Sequence, residues 1–278
     1  MLFIVLSLIP RTSKASLGES CYLPIPFLVL ILPFSNYLLE AFSEMTQIQE
    51  HAAELEEELY VGGVNSVTKY NVPIDNIYSK ASSEERIQKS VESLRKNGFQ
   101  VKVVDNLEEA RKLVESLLPL DKNVFTASSL TLKLSGLDEA INGAGSKYKS
   151  LRQEIGKLDR ATQFREQIKM GAVPDIVVGS VHAITESGQV FIASASGSQL
   201  GPYSAGAEKV IWVVGSQKLV KDFDDAMRRL ELYSYPLEDA RMHEAMNMPS
   251  ALAKILIVNR ELFPGRTTIV IVREVVGF

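Results

Sequence analysis

The amino-acid sequence predicts an α/β protein built on an open, mostly parallel sheet with helices on both faces. Two observations carry this expectation. Helix and strand patterns alternate from Ser82 to Thr126, as they do where helices cross over a parallel sheet. The run Val210-Ile211-Trp212-Val213-Val214 inside Lys209–Gly215 is apolar at every position, as a central strand covered on both faces requires.

The elements follow in order. Ser82 and Glu85 have capping-box spacing ahead of a helix through Lys96, and Asn97–Gly98 is its stop. Phe99–Val104 is a valine-rich strand. Asn106 caps a helix over Leu107–Leu118, with Glu108 and Glu109 in its first turn, where the helix dipole favours carboxylates. Asn123–Thr126 is a strand. Leu137–Asn142, Lys147–Ile155 and Ala161–Met170 are predicted helices, the last ended by Gly171 and followed by Pro174. Asp175–Gly179 and Gln189–Ser194 are short strands, with a hairpin turn over Thr185–Gln189. Asp222–Leu232, Leu237–Met246 (after Pro236) and Ser250–Val258 are predicted helices, and Thr267–Val272 is a closing β-branched strand.

Residues 1–44 differ in character from the rest. Met1–Ile9 and Tyr22–Phe34 are apolar, but Pro24, Pro26 and Pro33 interrupt the second run. It is shorter than the ~20 apolar residues of a bilayer span, and no positive charge precedes the first run as in a signal peptide. A membrane anchor, a targeting segment and an upstream extension outside the fold compete here, and the last is preferred. The predicted organisation is therefore an extension over 1–44, an acidic helix (Thr46–Tyr60) with a connector over 45–76, and a main domain over 77–278. The acidic helix is read as a surface helix or an oligomer contact, so a homo-oligomer is compatible with it. No membrane span is expected, and a cytoplasmic location is.

Composition excludes several function classes. The hydrophobic fraction of 46% and charged fraction of 23% in 278 residues are ordinary globular values. A net charge of -4 supplies no basic stripe, so nucleic acid is not an expected partner. The pairs Lys147/Lys149 and Arg228/Arg229 are read as solvated helix faces. Cys21 is the only cysteine, which excludes an intrachain disulfide, a cysteine-ligated iron–sulfur cluster and a cysteine zinc site. No cofactor is therefore expected in this chain, and in a redox pathway another polypeptide would carry the electrons. His51, His182 and His243 lack the spacing of a helical zinc motif.

The densest functional pattern lies between His182 and Lys209. A hairpin with Glu186 beside Gly188 leads into a loop containing Gly197, Ser198, Gln199, Gly201, Tyr203 and Gly206. Small residues with open amides can form a nest for carboxylate or phosphate, and a loop after a strand's C-terminal end is where α/β sheets hold ligands. Gly201 and Gly206 have P-loop spacing, but Ala207 and Glu208 stand where lysine and a hydroxyl are needed, and no Gly-x-Gly-x-x-Gly occurs. Glu186 is the candidate base or nucleophile, against a plain turn residue. His182 is a candidate ligand-orienting or proton-transferring group, against a hydrogen-bonded structural histidine. Ser128 and Thr131 are candidate donors to a ligand, against simple helix capping.

Taken together, Ile184-Thr-Glu-Ser-Gly188, Ser196-Gly-Ser-Gln199, Gly206-Ala207, Val210–Lys218, Pro236–Asp239, Lys254–Ile257 and Pro264-Gly-Arg266 resemble the LUD-domain (lactate utilisation) family over about residues 77–278. The resemblance implies a fold like the NagB/RpiA/CoA transferase group. It also implies a ligand-binding or accessory role in oxidising lactate or a related small 2-hydroxy acid, beside an iron–sulfur partner protein. By analogy with CoA transferases, Glu186 would attack a thioester, or act on a sugar phosphate. The third reading is a non-catalytic assembly module.

Overall fold

The computed structural model describes residues 72–278. The predicted extension over 1–44, with Cys21, and the acidic helix Thr46–Tyr60 lie outside the described residues.

The elements are α1 (Glu84–Lys96), β1 (Gln100–Val104), α2 (Leu107–Leu117), β2 (Asn123–Thr126), α3 (Leu130–Leu134), α4 (Leu137–Asn142), β3 (Lys149–Ser150), α5 (Leu151–Gly156) and α6 (Arg160–Ala172). They continue as β4 (Ile176–Gly179), β5 (Ala183–Thr185), β6 (Val190–Ser194), β7 (Lys209–Gly215), β8 (Leu219–Val220), α7 (Phe223–Arg229), α8 (Tyr235–Met246), β9 (Lys254–Val258) and β10 (Thr267–Val272). Six strands form an all-parallel sheet in the order β1-β10-β7-β4-β2-β3. A second sheet, β8-β5-β6-β9, is mixed.

The period-two alternation of a strand separates the cores. Ile211 and Val213 of β7 pack with Val114, Leu132 and Ile141 from α2, α3 and α4 on one face. Val210, Trp212 and Val214 point the other way, toward Ile87, Val91 and Leu94 of α1 and the small sheet's Ile184 and Ile192. The opposite face of the small sheet, with Phe191 and Val220, packs on Leu230, Tyr233 and Leu237. The fold is thus helices, parallel sheet, a mixed layer of helices and small sheet, and a last helical layer.

Several sequence expectations are corrected. Ser250–Val258 is not a helix. Its second half is β9, antiparallel to β6 with Phe191 opposite Ile257, because Ile255-Leu-Ile-Val258 is apolar and mostly β-branched and finds an edge to pair with. Lys147–Ile155 starts as β3 beside β2, and the helix begins only at Leu151, where Ser150 caps the Gln153 amide. Ser83 rather than Ser82 caps α1, accepting from the Arg86 amide, while the Ser82 hydroxyl donates to Leu219 O. Gly171 lies inside α6 rather than ending it. Pro236 does not break the chain into two helices: a π-helical turn over Leu230–Ser234 joins α7 to α8. The wide turn lets the Tyr235 amide reach Leu230 O, which accommodates the amide that Pro236 lacks.

Candidate functional site

Chain direction fixes where a ligand crevice can form. From β2 the chain moves outward to β3; from β4 it moves the opposite way to β7. The helices α3 and α4 that follow β2 and the β5–β6 hairpin that follows β4 pack on opposite faces, and the strand ends part between β2 and β4. In open α/β sheets this switch point is the usual ligand crevice. Three segments leave the sheet there: residues 127–131 after β2, Ser180–His182 after β4, and Ser216–Lys218 after β7.

Lys218 occupies the floor. It is 2% exposed, and its Nζ donates to Ser180 Oγ at 3.1 Å and Thr131 Oγ1 at 3.3 Å. Thr131 is buried as well, whereas Ser180 is half-buried. Burial, followed by the nearby Arg229 guanidinium, holds the Lys218 amine well below the usual lysine range. Among the described residues no carboxylate pairs with it.

Arg229 is the second buried cation, fully enclosed. Its Nη1 donates to His182 O and to Ser234 Oγ at 2.8 Å, and its Nε to Gln217 O at 3.3 Å. The guanidinium lies 5.0 Å from the centre of the Tyr233 ring. Its Nη2 is buried without a hydrogen-bond partner. Burial lowers Arg229 to about 10, so it stays charged at neutral pH. The expectation that Arg228 and Arg229 share a solvated face holds for Arg228 alone.

His182 and Tyr203 buttress this crevice. His182 Nδ1 accepts the Ala193 amide at 3.1 Å, which leaves Nε2 to carry the ring proton. Burial, then Lys218 and Arg229, push its pKa down to about 3, so the ring is neutral near pH 7. Tyr203 packs edge-on against Trp212 at 5.3 Å and donates its hydroxyl to Ser180 O at 3.4 Å. Ser128 is exposed at the rim, where it accepts from Arg152 Nη2 at 2.8 Å. Neither Ser128 nor Thr131 caps α3; that position belongs to Ser129, whose side chain makes no capping bond.

Glu186 and the glycine-rich loop are not brought together. Glu186 lies in the β5–β6 turn, and Ser194 ends β6 at the other end of the hairpin, about 17 Å away at strand rise. Glu186 Oε1 accepts from Arg86 Nε at 3.0 Å and Oε2 from Lys89 Nζ at 2.6 Å. Led by the Lys89 hydrogen bond, these contacts hold its pKa below the usual carboxylate value, the wrong direction for a general base near neutral pH. Asn97 Nδ2 adds bonds to Ser187 O and Gly188 O. The turn is thereby fastened to α1, and Gly188 is required there: its φ is +82°, and a Cβ would lie 2.9 Å from Ser93 C and 3.0 Å from Leu94 N.

The loop closes on itself rather than opening as a nest. The Gly197 amide donates to Ser194 Oγ, the Ser198 amide to Ser196 Oγ, the Leu200 amide to Gly197 O and the Tyr203 amide to Gln199 O. Gln199 Nε2 donates to Ala193 O, and its Oε1 accepts from Ser194 and Ser198 hydroxyls. Gly206 serves packing, since a Cβ there would lie 1.8 Å from Ala172 O. Gly201 opens the π-helical turn Pro202–Gly206. Among the described residues, no group of three or more His, Cys, Asp or Glu side chains is placed to hold a metal ion. No helix among them is long and apolar enough to cross a membrane.

The LUD domain family model matches residues 87–272, more than half of the chain. The chain belongs to the LUD domain family. Membership relates it broadly to the lactate-utilisation proteins. A search of curated proteins returned no match. Among solved structures, the chain is similar to a DUF162 family protein from Deinococcus radiodurans, with 12% identity, a TM-score of 0.43, and coverage of 69% of this chain and 99% of that one.

In this LUD domain, the residues that meet at the switch point include three that sequence reasoning missed: Ser180, Lys218 and Arg229. Lys218 left one signal. It is a lone cation between an apolar central strand and the apolar pair Leu219-Val220, a setting in which a charge is either paired or functional.

Proposed function

We propose that this LUD domain binds a small carboxylate at the β2–β4 crevice, as an accessory component in the oxidation of lactate or a related 2-hydroxy acid. The observation that supports the reading is the Lys218 amine, buried on the hydroxyls of Ser180 and Thr131 with no carboxylate among the described residues to balance its charge. Burying an uncompensated cation is costly, and a ligand carboxylate supplies the missing anion. The 2-hydroxyl of such an acid is a match for hydroxyl and neutral imidazole partners at the rim. A bound carboxylate favours the ammonium form that burial disfavours, so binding shifts Lys218 toward proton uptake.

Electron transfer is assigned to an iron–sulfur partner protein, since the only cysteine is Cys21. The thioester or sugar-phosphate reading relied on Glu186, whose carboxylate is occupied by Arg86 and Lys89. The test is calorimetric titration of the full chain with L-lactate in two buffers of different ionisation enthalpy. Saturable binding with net proton uptake supports the reading. Absence of binding, or lactate oxidation by the purified chain alone, overturns it.

A further inference from the structure

We infer that Lys218 forms a covalent imine with a 2-oxo acid, the oxidised counterpart of the 2-hydroxy acid, and so distinguishes the two redox forms. The inference rests on the small-carboxylate reading of this crevice and deepens it.

Three features of the geometry support it. The amine is held on two neutral hydroxyls, and among the described residues no carboxylate stabilises its protonated form. Burial and the Arg229 charge further favour the free amine, the nucleophilic form. The rim reaches solvent through exposed Ser128 and half-buried Ser180 and His182, while Thr131 and Lys218 are closed in.

The chemistry balances without an oxidant. Nζ of Lys218 bonds to C2 of the oxo acid while one amine proton passes to the carbonyl oxygen, giving a carbinolamine. The remaining N–H proton and that hydroxyl leave as water, the C2–O bond breaks and the C=N bond closes. The Ser180 hydroxyl, 3.1 Å from Nζ, is placed to relay the proton. The imine nitrogen then takes up one proton from solvent, and the acid's carboxylate neutralises the resulting iminium. A 2-hydroxy acid lacks the carbonyl and binds only through the ion pair.

The experiment uses the full chain with pyruvate and sodium cyanoborohydride, read by intact mass and peptide mapping. The same samples are tested for thermal stabilisation by pyruvate and by L-lactate. The expected result is a reduced adduct on Lys218, formed faster than on any exposed lysine, because a lowered pKa raises the free-amine fraction. Excess L-lactate should suppress it. Pyruvate stabilisation without a Lys218 adduct, or labelling spread evenly over exposed lysines such as Lys89, overturns the imine and leaves the carboxylate reading standing. No stabilisation by either acid and no adduct overturns both. An adduct on Lys218 without lactate binding upholds the imine and removes the 2-hydroxy acid.

Discussion

Lys218 Nζ lies 3.1 Å from Ser180 Oγ, and the two residues come from loops that leave adjacent parallel strands, β7 and β4. The contact joins the switch point of the sheet to a buried amine without a carboxylate, and the functional account is built on it.

Replacing that amine separates stability from binding. Lys218→Met keeps an unbranched side chain one atom shorter and removes a buried amine that has no matching anion among the described residues. We predict unchanged stability or a gain of about 1 kcal/mol in urea unfolding, together with loss of lactate binding. A loss of more than about 2 kcal/mol would show that the two hydroxyl contacts outweigh the cost of burial.

Glu186 gives the opposite pattern. Its ion pairs with Arg86 and Lys89 are partly exposed, at 38% and 63% on the cationic side, so each contributes little after screening. Glu186→Gln should cost about 1 kcal/mol or less in urea unfolding and leave lactate affinity unchanged. Loss of ligand binding in this variant would return Glu186 to the site.

The turn beside it is less tolerant. At Gly188 a side chain meets the α1 backbone and the backbone is left-handed. Gly188→Ala should destabilise by about 2 kcal/mol or more, measured by urea unfolding. A neutral result would mean that the hairpin turn moves freely off α1.

His182 predicts a pH dependence. Its folded pKa is about 3, below the ordinary 6.5, so the unfolded chain binds the proton first as pH falls. The neutral ring therefore contributes stability that is fully present above pH 6.5 and is lost progressively toward pH 3. His182→Gln should flatten this part of the stability–pH curve by about 1 kcal/mol or more relative to the wild type. Parallel curves for the two proteins would contradict a neutral imidazole in the folded state.

Much of the fold was legible because local pattern and tertiary role agree. The strand cores of β2, β4, β7 and β10 match the sequence reading, since an all-apolar or β-branched run between helices has one stable use in a parallel sheet, and β6 was legible as a strand although it pairs in the second sheet. The second sheet was not legible. β5 and β8 have three and two residues, too short to show a period, and β9 needed the β6 edge to become a strand. Ser128 and Thr131 were read at a helix start, and His182 and Tyr203 within the His182–Lys209 pattern; the structure puts Thr131 on Lys218 and His182 and Tyr203 beside Ser180. Glu186 and the glycine-rich loop misled because composition shows that amides are available, not where they are spent. Arg229 was hidden by its exposed neighbour Arg228 and by the π-helical turn, which no residue pattern announces.

The most direct test is a thermal-shift titration of the wild type, Lys218→Met, Thr131→Val and Glu186→Gln with L-lactate and pyruvate. The account predicts a concentration-dependent rise in Tm for the wild type and Glu186→Gln, a weakened rise for Thr131→Val, and none for Lys218→Met. An equal rise in Lys218→Met, or none in the folded wild type, would contradict it.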